Sequence, residues 1–196
     1  MNFLDRPIRC GWVSDDIEYQ RYHDTVWGRP ELDSKKLFAK LCLDGQQAGL
    51  SWITILKKQK NYERAFYQFE PEKIASMTDK DVERLMQDSG IVRNRLKIQS
   101  IITNAQAYLN IASTMAFSDY IWQFTNHKTI TNGWSDYRDA PVSTDASKAM
   151  SKSLKKDGFK FVGETICYAF MQAAGLVNDH ATNCHCYESV RSLARK

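Results

Sequence analysis

Helical periodicity over most of its length, with no convincing stretch of apolar–polar alternation, is the feature that most constrains this chain. Leu37, Phe38, Leu41 and Cys42 form an apolar stripe behind a cap at Asp33 or Ser34. A break is expected at Asp44-Gly45, then the run QQAGL, then a second amphipathic stretch from Ser51 through Ile53 and Leu56 to Ala65-Phe66. Pro71 suits the first position of a short helix, and Thr78 with Asp81 three residues on reads as a capping box ahead of Val82, Leu85 and Met86. Ile98, Ile101, Ile102, Ala105, Tyr108 and Leu109 form another stripe. Ser118 is expected to cap a helix carrying Ile121 and Phe124, and Thr144 to start one that ends at Gly158. Residues 163–176 read as a helix apolar nearly all round, whereas 126–142 carry no periodicity and read as a long connection. The expected fold class is all-α.

The 196 residues suit one unit, divisible into a central lobe over about 34–120 and a lobe of the paired termini, about 1–33 and 121–196. A hydrophobic share of 43% with 26% charged residues excludes a disordered chain. The sequence contains no apolar run of membrane-spanning length. The opening MNFLDRPIRCGW lacks an apolar core of signal length, so export is not expected and the cytoplasm is the expected compartment. Five cysteines, an odd number, argue there against a disulfide framework and leave metal binding or burial to explain them. A net charge of +4 permits nucleic acid as a partner without demanding it. Five Trp and nine Tyr are enough for an aromatic pocket or a base-stacking surface.

The segment VERLMQDSGIVRNRLKIQSII reads as helix, tight turn at Gly90, helix. Such a turn leaves backbone N–H groups at the start of the second helix unpaired, at the positive end of its dipole, where a phosphate is a natural partner. Arg93, Arg95 and Lys97 follow at once and would add charge along a DNA backbone. An ordinary helical hairpin with a solvated basic face fits the same residues.

Cys10 and His23 lie near one end, His180 and Cys184 near the other. On a helix, His180 and Cys184 at i, i+4 would share a face. Two Cys and two His fill a tetrahedral zinc site and leave no position for water, which is the structural pattern and not the catalytic one. Spacing alone does not choose among Cys184, His185 and Cys186, and buried, unliganded cysteines fit it as well.

The runs RCGWVSDD, YHDTVWG, DSKKLF, DGQQAGLSWITILKK, GIVRNRLKIQSII, GFKFVGETICY and QAAGLVNDH, in that order, resemble the 3-methyladenine DNA glycosylase I (Tag) family from Arg9 to Tyr187. The resemblance implies a helix–hairpin–helix glycosylase fold whose two chain ends are joined by one structural zinc on Cys10, His23, His180 and Cys184. It implies a base pocket of Trp12, Tyr22 and Trp52 with Tyr19 and Trp27 close by, and a base-recognising carboxylate at position 44. Here the chain departs from the family, which usually has Glu where this sequence has Asp44. The loop of residues 46–50 resembles the segment that wedges into the duplex, with Leu50 as the plug and Gln46 and Gln47 beside the gap. The implied partner is double-stranded DNA containing 3-methyladenine, bound by a monomer with no membrane involvement.

Methylation at N3 makes adenine cationic and a good leaving group, so the enzyme must mainly extract the base, select it and admit water. Aromatic faces hold a flat cation by stacking and cation–π attraction worth about 1–2 kcal/mol when desolvated. Residues 89–118 contain no Asp or Glu, so the catalytic acid that many helix–hairpin–helix glycosylases carry beyond the hairpin is missing. No lysine stands in an obvious nucleophile position, so lyase activity is not expected. The rival readings are a non-catalytic, zinc-stabilised DNA-binding module and a zinc hydrolase, the second requiring an open metal position.

Overall fold

The computed structural model describes residues 7–196; the first six residues, on which part of the reading about export falls, lie outside the described residues. Eleven α-helices make up most of it: α1 (Ile17–Thr25), α2 (Ser34–Gln46), α3 (Trp52–Leu56), α4 (Gln59–Ala65), α5 (Pro71–Ala75), α6 (Asp79–Leu85), α7 (Arg95–Ala112), α8 (Phe117–Trp122), α9 (Asp145–Lys156), α10 (Glu164–Ala173) and α11 (Tyr187–Leu193). None of them is long and apolar enough to cross a membrane.

Local chemistry sets most of the boundaries. Asp16 and Asp33 cap α1 and α2 by accepting backbone N–H bonds of the first turn. Pro71 occupies the start of α5, and Thr78 with Asp81 forms the reciprocal box of α6. Thr144 with Ser147 closes a box on α9. Asn94 caps α7 through Lys97 N. α8 begins one residue before Ser118, whose own N–H is taken by Ser34 Oγ at 3.0 Å, so Ser118 does not cap it.

Three expectations about the chain's course change. α2 does not break at Asp44-Gly45 but runs through to Gln46. Gly45 is there for close approach: a Cβ on it would meet Phe161 Cβ at 3.1 Å and the Phe161 carbonyl oxygen at 3.2 Å. The run from Ser51 to Phe66 is two short helices, not one. The connection over 126–142 also holds a strand, β1 (Ile130–Thr131), paired parallel with β2 (Val177–Asn178) in the register Ile130↔Val177 and Thr131↔Asn178. Two residues are too few to display the alternation by which strands are recognised.

The main core lies between α2, α7, α8 and α10. Leu37, Phe38 and Leu41 of α2 meet Ile98, Ile101 and Ala105 of α7, all fully buried, each large side chain contributing about 1.5–3 kcal/mol. Trp122 closes one end, its indole N–H donating to the Glu31 carbonyl at 2.8 Å. A second, smaller core joins the two chain ends through Cys10, Tyr22, Trp27, Cys184 and Val190. The His185 N–H donates to the Ile8 carbonyl at 2.9 Å across that junction.

Candidate active site and metal centre

α1, α2, α3 and α10 leave a cavity of about 270 Å³ between them. Trp12, Tyr19, Tyr22, Trp27, Asp44 and Trp52 all line it, so the six residues expected at a base pocket converge from three stretches of chain. Trp12 stands 5.1 Å, centroid to centroid, from both Tyr19 and Trp27, and Tyr22 lies 5.4 Å from Trp52 at 44°. Flat walls of this kind suit a flat, polarisable guest.

Asp44 sits on the last turn of α2 with its side chain 3% exposed. One turn earlier on the same face is Lys40, a lining residue that sequence reasoning missed although the i, i+4 spacing was there to be read. Its ammonium donates to Asp44 Oδ1 and lies 3.9 Å from the centroid of the Trp52 ring. Burial pushes the Asp44 carboxyl up and the Lys40 ammonium down, and in each case the partner's charge opposes the shift. Burial, reinforced by the Asp44 charge, drives the Tyr22 hydroxyl well above its ordinary range. Asp44 Oδ2 and the Trp52 indole N–H are buried without any partner. Buried polar atoms are nearly always satisfied, so two orphans on one cavity wall mark a place where a ligand completes the bonding.

Asp179 contributes a second carboxylate to the wall. Its oxygens accept from Asn132 Nδ2 (2.7 Å), Trp134 Nε1 (2.8 Å), Tyr168 Oη (2.5 Å) and Gln172 Nε2 (2.8 Å). All four donors are neutral side chains, and together they hold Asp179 in place.

Behind the aromatic wall, Cys10 Sγ, His23, His180 and Cys184 Sγ gather with their ligand atoms within 4.8 Å of one another, all four residues buried. Cys10 Sγ lies 3.5 Å from His180 Nδ1, and Cys184 Sγ lies 3.5 Å from both His180 Nδ1 and His23 Nε2. The remaining imidazole nitrogens are fixed from outside: His23 Nδ1 by Asp24 Oδ1 at 2.8 Å, His180 Nε2 by the Trp27 carbonyl at 3.2 Å. That arrangement selects the ring nitrogen turned inward and is how metal-binding histidines are normally held. Arg9 in turn grips Asp24 through two guanidinium nitrogens. Cys184 is pushed far below the ordinary thiol range by hydrogen bonds from Cys10 and Cys186, and Cys10 is pushed up by the same contact and by burial. The cluster is able to hold a metal ion. His180 and Cys184 reach it through a turn closed by Cys184 N–H to the Ala181 carbonyl at 2.8 Å, not along a helix as the spacing suggested. All five cysteines are free thiols.

The residues expected at DNA divide. Gln47 lines the cavity, Leu50 stands 41% exposed at the tip of the loop that follows α2, and Arg93 is exposed. Arg95 is exposed but tied to Glu83 by two hydrogen bonds of 2.6 and 2.9 Å. Gln46 and Lys97 turn inward. Lys97 Nζ donates to the carbonyls of Gln46 (2.7 Å) and Ala48 (2.6 Å), while Gln46 Nε2 donates to the Lys97 carbonyl (3.0 Å). Neither presents its side chain to a phosphate; together they clamp the loop to the start of α7. At the hairpin turn the Gly90 N–H donates to Asp88 Oδ1 at 2.7 Å, and at the start of α7, where unpaired N–H groups are expected, the Lys97 N–H is taken by Asn94 Oδ1 at 3.1 Å.

Likeness to known proteins identifies this helical chain, with its aromatic, carboxylate-bearing cavity, as a DNA glycosylase of alkylation repair. It belongs to the methyladenine glycosylase family, which it matches over residues 12–187. It is 59% identical over 180 residues to DNA-3-methyladenine glycosylase 1 of Escherichia coli (strain K12), covering 91% of this chain and 96% of that one. A crystal structure of 3-methyladenine DNA glycosylase I superposes with a TM-score of 0.91 at 55% identity, over 92% of this chain and all of the other. The Staphylococcus aureus enzyme, solved for the structural basis of its 3-methyladenine recognition, gives a TM-score of 0.89 at 43% identity, over 91% and 96% of the two chains.

Proposed function

We propose that this protein hydrolyses the N-glycosidic bond of 3-methyladenine in alkylated double-stranded DNA, acting as a monomer and without lyase activity. The observation that carries the reading is the unpartnered, buried Oδ2 of Asp44 on an aromatic cavity wall. A methylated adenine flipped from the duplex would stack among Trp12, Tyr22 and Trp52 and offer its exocyclic N–H to that oxygen, a charge-assisted bond. Because N3 methylation already makes the base a good leaving group, holding the base and admitting water suffice. The relatives, a DNA-3-methyladenine glycosylase and an enzyme solved for its recognition of 3-methyladenine, support the same substrate.

In this reading α6, the turn at Gly90 and α7 act as a helix–hairpin–helix element in which Arg93 meets the DNA backbone. Leu50 fills the gap left by the flipped base, with Gln47 beside it. Lys40, the lysine against the cavity, is engaged by Asp44 and Trp52 and is not free to attack the sugar. Cys10, His23, His180 and Cys184 would hold one structural zinc: the edge between S and N ligands of a zinc tetrahedron is about 3.5 Å, the separation seen three times here. Bound there, the ion supplies rigidity to the wall that carries Trp12 and Trp27.

The test is a methylated duplex incubated with the protein and examined before and after alkali. Strand breaks that appear only after alkali are expected, since base loss leaves an intact backbone. Breaks without alkali would overturn the monofunctional reading, and none in either case would overturn excision itself.

A further inference from the structure

Lys40 occupies both features of the pocket that a cationic base would use. Its ammonium donates to Asp44 Oδ1 and stands 3.9 Å over the Trp52 ring, and its side chain is only 16% exposed. A carboxylate and an indole face are the two ordinary partners of an organic cation, and here both already have one.

We propose that Lys40 is a specificity-determining residue: its ammonium fills the cation site formed by Asp44 and the face of Trp52, so the corner that receives the base is neutral before the base arrives. The inference rests on the base-excision reading above. An entering base finds Oδ2 as its free acceptor, while Oδ1 and one face of the indole stay with the lysine. Stacking, shape and that one hydrogen bond then select the base, and its positive charge adds little. Without Lys40 the same carboxylate would be a buried, unpaired anion, which binds cations strongly. The other carboxylate of the wall, Asp179, keeps its four neutral donors with or without Lys40, so its charge cancels from any comparison between the two.

The experiment compares two bases of nearly one shape, neutral 3-methyladenine and the permanently cationic 3,9-dimethyladeninium, whose second methyl stands where the sugar was. Each is titrated at mildly alkaline pH by tryptophan fluorescence into zinc-loaded wild type, Lys40→Met and Lys40→Gln, the last retaining an amide donor for Asp44. The expected result is that the wild type binds the two within about threefold, whereas both variants favour the cation over the neutral base by about tenfold or more. An unchanged ratio in folded variants, with 3-methyladenine still released from methylated DNA by the wild type, overturns the role of Lys40 alone. Binding of neither base together with no release overturns this inference and the excision reading at once.

Discussion

At the scale of single residues, the Lys40–Asp44 pair bears on stability and, in the proposed reading, on selectivity. Taking one partner from a buried ion pair leaves an uncompensated charge, so Asp44→Ala should cost about 3–5 kcal/mol in denaturant unfolding, whereas Lys40→Met with Asp44→Leu should be neutral or stabilising. The pH dependence has a definite sign. Burial raises the Asp44 carboxyl in the folded state, so the contribution it makes is present below its unfolded pKa and is lost as pH rises through the folded value. The double variant should therefore gain on the wild type as pH rises through that window, and a constant difference would contradict the shift. Asp44→Glu should leave base excision equal or improved, because the longer side chain restores the reach that the family usually has; a large loss would mean that the pocket is built around Asp44. Asp44 and the aromatic set were legible in the sequence through the resemblance of their motifs. The partner of Asp44 was not drawn from it, although Lys40 is four residues away on the same helix, because i, i+4 spacing is shared by many solvated pairs.

At the scale of elements, the loop after α2 and the start of α7 behave as one piece through Gln46 and Lys97. Lys97→Met should lower stability by about 1–3 kcal/mol and slow excision by loosening the segment that carries Leu50. Arg93→Ala should instead leave stability unchanged and reduce the salt slope of DNA binding by about one. Equal salt slopes for wild type and Arg93→Ala would remove Arg93 from the DNA face. The sequence presented Arg93, Arg95 and Lys97 as one basic cluster, since charge is visible in a sequence and direction is not. Lys97 falls on the buried side of α7 with Ile98 and Ile101, so its long side chain turns into the protein. Caps were far more legible, because Asp33, Pro71, Thr78 and Thr144 act within one helical turn of themselves. The β1–β2 pair was out of reach: its two strands are 46 residues apart and held by the packing around them. Gly175, between α10 and β2, shows that constraint directly, since its φ is +74° and a Cβ there would lie 2.3 Å from the Arg29 backbone carbon. Gly175→Ala should abolish soluble expression or lower the unfolding midpoint severely.

At the scale of the molecule, the Cys/His cluster and the pocket are one construction. Trp27 lines the cavity with its ring and holds His180 with its carbonyl, and Trp12 packs edge-on to His23 at 5.3 Å. Chelation should therefore lower the unfolding midpoint first and reduce excision as a consequence; unchanged stability with lost activity would contradict a structural ion. The convergence of residues 10 and 23 with 180 and 184 could be drawn from motifs but not from spacing, because only the whole fold brings the chain ends together. The central claim is that Asp44 and its aromatic neighbours select 3-methyladenine for excision. It is tested most directly by incubating the folded, zinc-loaded protein with methylated duplex DNA and identifying the free bases by chromatography. Release of 3-methyladenine with little 7-methylguanine is the predicted result. No released base, from protein that still binds DNA, would contradict it and leave a zinc-stabilised DNA-binding module in its place.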